Sequence, residues 1–142
     1  MSEISPQLAE LLPSDTVTLD WDIEFSTVDD SVSMGVLRRF VNGNKEKIIN
    51  IEKRRSAHGN THVRIRFKET LTFFETLQLR AFLRDDVYRI KMDLLRLAIA
   101  QQKFDYQNIS SKGAAGLSRL WDWKLEGDKT LAAGEWIKIE IK

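Results

Sequence analysis

The succession of hydrophobic periods along the chain predicts an α+β fold. It implies an antiparallel sheet on a β-α-β-β-α core of the split βαβ kind, with an N-terminal helix before it and a C-terminal β-hairpin after it. Three observations carry this. Residues 16–25 alternate apolar and polar with a period of two. Two further strand-like runs flank a His58-Gly59-Asn60 turn. Between and after these runs, apolar residues recur at helical spacing behind capping residues. At 142 residues, 42% of them apolar, the chain is sized for one core, and a single domain is expected: an N-terminal helix over 1–13, an α/β core over 16–102 and a hairpin over 119–142.

In chain order, Ser5 and Pro6 suit the cap and first turn of a short helix whose apolar face is Leu8, Leu11 and Leu12, ended by Pro13. The strand over Thr16–Phe25 places Val17, Leu19, Trp21, Ile23 and Phe25 on one side, and Asp20, Asp22 and Glu24 on the other. Asp29, Asp30 and Ser31 offer caps for a helix with Val32, Val36, Phe40, Leu37 and Val41 at helical spacing, stopped by Asn42-Gly43-Asn44. Strands over Ile48–Arg55 and Thr61–Lys68 form a hairpin. Thr72 and Glu75 spell a capping box for a helix carrying Phe74, Leu77, Ala81 and Phe82. The run 87–102 fits a helix through Val87, Ile90, Leu94, Leu97 and Ala98, most clearly from Asp93 onward, although residues 88–92 also fit a short strand. Residues 105–118 read as a loop, and Arg119–Leu125 is expected to pair with Glu135–Ile141 across a 127–134 connection. The layout resembles the RNA-recognition type.

Charge is segregated along the chain. Residues 1–37 hold eight acidic and no basic residues, and residues 38–68 hold ten basic and two acidic, within a net charge of +1. That asymmetry points to an anionic partner, or to two oppositely charged faces. With no cysteine, thiol and disulfide chemistry is excluded. No run reaches the about 18 apolar residues of a membrane span, so the expectation is a cytoplasmic protein without a membrane partner.

Three segments carry candidate chemistry. Asp20 and Asp22, two apart on a strand, point the same way and suit a divalent cation, as does the solvated side of a half-buried strand. His62, Arg64, Arg66 and Lys68 share one side of the third strand, with Arg54 and Arg55 before the turn. A row of cations of this kind fits phosphate oxygens, or guards an exposed edge. Asp93 lies in Arg89-Ile90-Lys91-Met92-Asp93-Leu94-Leu95-Arg96, which also reads as a helix with an Arg89–Asp93 surface pair.

Taken together, Asp-x-Asp on a strand, then Gly-x-x-His on a hairpin, then an isolated Asp, resemble the motif order of the archaeo-eukaryotic primase superfamily over residues 16–97. The stretch from Arg89 to Arg96 is also similar to one in small proteins of archaeal viruses and plasmids. The resemblance implies a nucleotidyltransferase of DNA replication in which Asp20, Asp22 and Asp93 are catalytic and hold Mg²⁺ or Mn²⁺. It also implies that His62, with Arg64 and Arg66, holds a nucleotide triphosphate. Asn60 stands where that family's second motif has serine. The alternative is a non-catalytic module that presents Arg54, Arg55, Arg64, Arg66 and Lys68 to single-stranded nucleic acid, with Trp121, Trp123 or Trp136 for stacking. A third reading is an interaction subunit of a replication complex that contacts a protein through the C-terminal hairpin.

Overall fold

The computed structural model describes residues 14–105, 120, 123–126 and 128–140. The N-terminal helix expected over 1–13, the loop expected up to 118 and Trp121 lie outside the described residues. Strands β1 (Ser14–Trp21), β2 (Ile48–Arg55), β3 (Thr61–Leu71) and β6 (Ile137–Lys138) form one sheet in the order β1-β3-β2-β6, with every neighbouring pair antiparallel. Because β3 lies between β1 and β2, the unit β1–α1–β2, with α1 spanning Val32–Asn42, is a split βαβ. Helices α2 (Phe73–Phe82) and α3 (Val87–Asp105) follow. A separate pair, β4 (Trp123–Glu126) and β5 (Lys129–Ala132), comes after them. The architecture is α+β. No helix among the described residues is long and apolar enough to cross a membrane.

One sheet face supplies the core. Val17, Leu19 and Trp21 of β1 and Val63, Ile65 and Phe67 of β3 pack with Ile51 of β2, against Val28, Met34, Leu37 and Val41. Ser31 caps α1 by accepting a hydrogen bond from the Met34 amide at 3.1 Å, and Thr72 and Glu75 close a reciprocal capping box on α2. Trp21 is buried and donates its indole N–H to the Leu83 carbonyl at 2.9 Å, which ties the end of β1 to the end of α2. Beyond Leu83, Arg84 adopts a left-handed φ of 67°. Its amide bonds to the Ala81 carbonyl and the Asp85 amide to that of Arg80, the pair of bonds that closes a Schellman motif. This turn delivers Asp85 into the interior.

Several expectations are corrected. The first strand ends at Trp21 rather than Phe25, because Trp21 pairs with Thr61, where β3 begins, and no backbone remains to pair farther out. Instead Asp22 accepts from the Asn60 side chain at 2.9 Å, and the Phe25 amide bonds the Gly59 carbonyl. Glu24 therefore leaves the strand face as well. In α1 the buried stripe is Met34, Leu37 and Val41, while Val32 is exposed. In α2 the buried side is Phe73, Thr76, Leu77 and Arg80, leaving Phe74, Ala81 and Phe82 exposed. Helix α3 starts at Val87, which settles the helix-or-strand ambiguity of residues 88–92. It buries Arg89, Asp93 and Leu97 and turns Val87, Leu94 and Ala98 outward. The C-terminal hairpin pairs Trp123–Glu126 with Lys129–Ala132, and residues 137–138 cross to the outer edge of β2.

Trp21→Phe removes the donor to the Leu83 carbonyl and leaves that acceptor buried. Urea unfolding is expected to show a loss of about 2 kcal/mol, with the slope of the transition unchanged.

Candidate nucleic-acid interface

Strand register decides which polar side chains meet on the sheet face opposite the core. Asp20 of β1 stands opposite His62 of β3, which stands opposite Arg54 of β2. The next row is Thr18, Arg64 and Glu52, and the next is Thr16, Arg66 and Asn50. Arg54 donates Nε–H to His62 Nδ1 at 3.0 Å, so that ring nitrogen is an acceptor and Nε2 faces Asp20, 3.9 Å from its Oδ1. Arg64 donates twice to Glu52, at 2.8 and 3.1 Å, and Arg66 lies 3.6 Å from Asp15. The Trp136 ring lies across this face, its centroid 4.5 Å from the Arg54 guanidinium carbon and 4.0 Å from that of Arg64. Beside it, Asp15, Thr16, Asn50, Glu52, Arg64 and Arg66 line an open polar cleft of about 370 Å³.

The acidic first quarter of the chain is thereby spent largely on the basic stretch that follows it. Asp15 meets Arg66, Asp20 meets His62, and Asp29 meets Lys53 at 2.6 Å. Two of these contacts run along the β1–β3 pairing, where opposite charges on facing strands help fix register. What stays toward solvent is the far end of the row. Arg66 has a side chain 57% exposed, and Lys68 and Lys138 are exposed. His62 and Arg54 are buried and act as supports for this surface. Arg55 points to the core side of the sheet's alternation, opposite Thr61, and is exposed at its end, apart from Arg54 and Arg64.

Asp93 occupies a different place. It is fully buried on α3, with Oδ2 accepting from Arg80 Nη1 at 2.6 Å and Oδ1 from Arg96 Nη1 at 2.9 Å. The expected Arg89–Asp93 surface pair is replaced by Arg89–Asp85, because Asp85 arrives from the Schellman turn at the start of the same helix. Asp85 accepts from Arg80 Nε at 2.8 Å and from Arg89 at 2.7 Å, and also from the Asp20 backbone amide at 2.8 Å. Arg89 in turn donates to the Thr18 carbonyl and hydroxyl. Thr18 and Asp20 present these backbone groups on the outer edge of β1, so the charged start of α3 occupies the edge where another strand would add. Sequence reading missed Arg80 and Asp85 altogether. The only trace of them was two charged residues a few positions apart at a helix end.

The donor set implied for Mg²⁺ or Mn²⁺ does not fit a cation site. Both Asp93 oxygens are held by arginines, Asp22 is off the strand and exposed, and no three His, Asp or Glu side chains converge among the described residues. Asp20 stands alone of the three beside His62. Burial pushes its carboxyl above the usual 3.8, Arg89 pulls it down, Asp85 and Asp86 push it up, and Lys124 pulls it down. The net direction is upward.

Two outcomes follow from these contacts. Removing one partner from a buried ion cluster strands the others. Asp85→Ala and Asp93→Ala are each expected to lower stability by about 3–5 kcal/mol, whereas exposed Asp22→Ala stays within about 0.5 kcal/mol, all by denaturant unfolding. A carboxyl whose folded pKa is raised contributes stability below its unfolded value, and that contribution is lost as pH rises through the folded value. Asp20→Asn is therefore expected to gain stability relative to the parent as pH rises from below 3.8 toward neutrality; a difference independent of pH would contradict the burial effect. The chain matches no protein-family model, and searches of the curated proteins and of the solved structures return no match.

Proposed function

We propose that the chain is a nucleic-acid-associated module of the cytoplasm that binds single-stranded nucleic acid on the polar sheet face without carrying out nucleotidyl transfer. The observation that supports this reading is the Trp136 ring lying across Arg54 and Arg64 beside the cleft that contains Arg66. A sheet face that combines cations with an aromatic ring offers phosphates a charge and bases a stacking surface, neither of which depends on base identity. Arg66, Lys68 and Lys138 supply the solvent-side charge. A phosphate on Arg64 or Arg66 competes with Glu52 and Asp15, so affinity is modest and strongly dependent on salt. A primase-like activity would draw on Asp20, Asp22 and Asp93, and the arginines on Asp93 leave that carboxylate engaged elsewhere.

Binding of a labelled single-stranded oligonucleotide tests the proposal. Log affinity is expected to fall with log salt at a slope near −0.7 per phosphate contact. Arg66→Glu combined with Lys68→Glu is expected to flatten that slope by about one per cation removed. Trp136→Ala is expected to weaken binding by about 1–3 kcal/mol per stacked base and to leave the slope unchanged. Absence of binding to both DNA and RNA at low salt would overturn the reading.

A further inference from the structure

At the end of the sheet where β1 enters, the helices leave an apolar groove of about 840 Å³ between α1 and α2. Phe40 of α1, Phe67 and Leu71 of β3, and Leu79 and Phe82 of α2 line it. Phe40 packs against both Phe67 and Phe82, with ring centroids 6.4 Å apart in each case. Phe82 is nonetheless 61% exposed, although it faces a groove with a continuous apolar floor. Burying a ring of this size is worth about 1.5–3 kcal/mol, and the floor is already shaped for an apolar occupant.

The entry point of the chain says what that occupant is. Ser14, the first residue of β1, stands opposite Leu71, which lines the groove. Residues 1–13 therefore join the sheet at the groove's rim. Within them Leu8, Leu11 and Leu12 fall at helical spacing behind the Ser5-Pro6 start, and Pro13 turns the chain immediately before the strand. A helix over residues 5–12 would be about 12 Å long, against about 15 Å for α2 beside the groove. The three leucines therefore come within reach of Leu79 and Phe82 without an intervening linker. We propose that this groove is the docking site of the segment of residues 1–13, which seats Leu8, Leu11 and Leu12 against Phe40, Leu79 and Phe82. The segment then serves as a strap across the ends of α1 and α2, on the side of the sheet away from the Trp136 face.

Because the chain has no cysteine, a pair of introduced thiols reports proximity without background. The full chain carrying Leu11→Cys and Phe82→Cys is oxidised at low concentration and compared with Leu11→Cys and Ile137→Cys, the latter position lying on the opposite sheet edge. The expected result is an intramolecular crosslink in the first pair, formed roughly tenfold or more faster than in the second. Equal rates in the two pairs overturn the proposal, as does a product linked between two chains, which would assign the groove to a second copy. Leu79→Cys replaces Phe82→Cys if the latter shifts the thermal midpoint. As a measurement free of substitutions in the groove, the chain beginning at Ser14 is expected to bind more of an apolar fluorescent dye than the full chain. A synthetic peptide of residues 1–13 is expected to reverse that gain, and unchanged dye binding on truncation would likewise overturn the strap.

Discussion

The outer edge of β1 depends on one buried ion cluster. Asp85 is reached by Arg80, Arg89 and the backbone amide of Asp20, and Asp93 by Arg80 and Arg96. Each carboxylate would be costly to bury alone, and each arginine likewise, so the cluster holds only as a unit. It joins three elements: the end of α2, the turn after it, and the start of α3. It fastens them to a strand edge whose N–H and C=O groups would otherwise be open to pairing. The Trp21 hydrogen bond to Leu83 anchors the same turn from the core side. Position and chemistry are thus coupled here: the Schellman turn places Asp85, and Asp85 holds the helices to the sheet.

Charge segregation in the sequence acquires a structural meaning from the β1–β3 pairing. An acidic strand and a basic strand come together in antiparallel register, so Asp15 and Asp20 face Arg66 and His62. Most of the charge that looked available for an anionic partner is internally matched. The remainder is concentrated at one end of the face, next to an indole that already stacks on two guanidinium groups. That residual combination, rather than the whole basic run, is what the polar face offers a ligand.

The periodicities that place β1, β2, β3, α1 and α2 were legible because each depends on residues near in sequence: alternation, a Ser31 cap, a Thr72–Glu75 box, a Gly59 turn with φ of 91°. Side-chain sharing was legible in part. His62, Arg64 and Arg66 do lie together opposite Val63, Ile65 and Phe67, as strand alternation requires. The grouping of Asp20 with Asp22 and Glu24 failed because a strand lasts only as long as its partner, and β3 begins opposite Trp21. The apolar stripe of α3 failed for another reason. The helix buries Arg89 and Asp93 because Arg80 and Asp85 are waiting for them, and a hydrophobic pattern cannot register a buried face made of charges.

By itself, the amino-acid sequence determined the α+β class, the order of the core elements and the side of β3 on which the cations sit, since these follow from local backbone preference and from burial of alternating residues. Only the tertiary structure decided the strand order β1-β3-β2-β6, the joining of residues 137–138 to β2, and the removal of Asp93 from the Asp20 strand into an arginine cluster. Those outcomes rest on pairings between residues tens of positions apart, whose energies depend on desolvation and on simultaneous partners. No window of the sequence contains all the charges that must meet for any one of them to be buried.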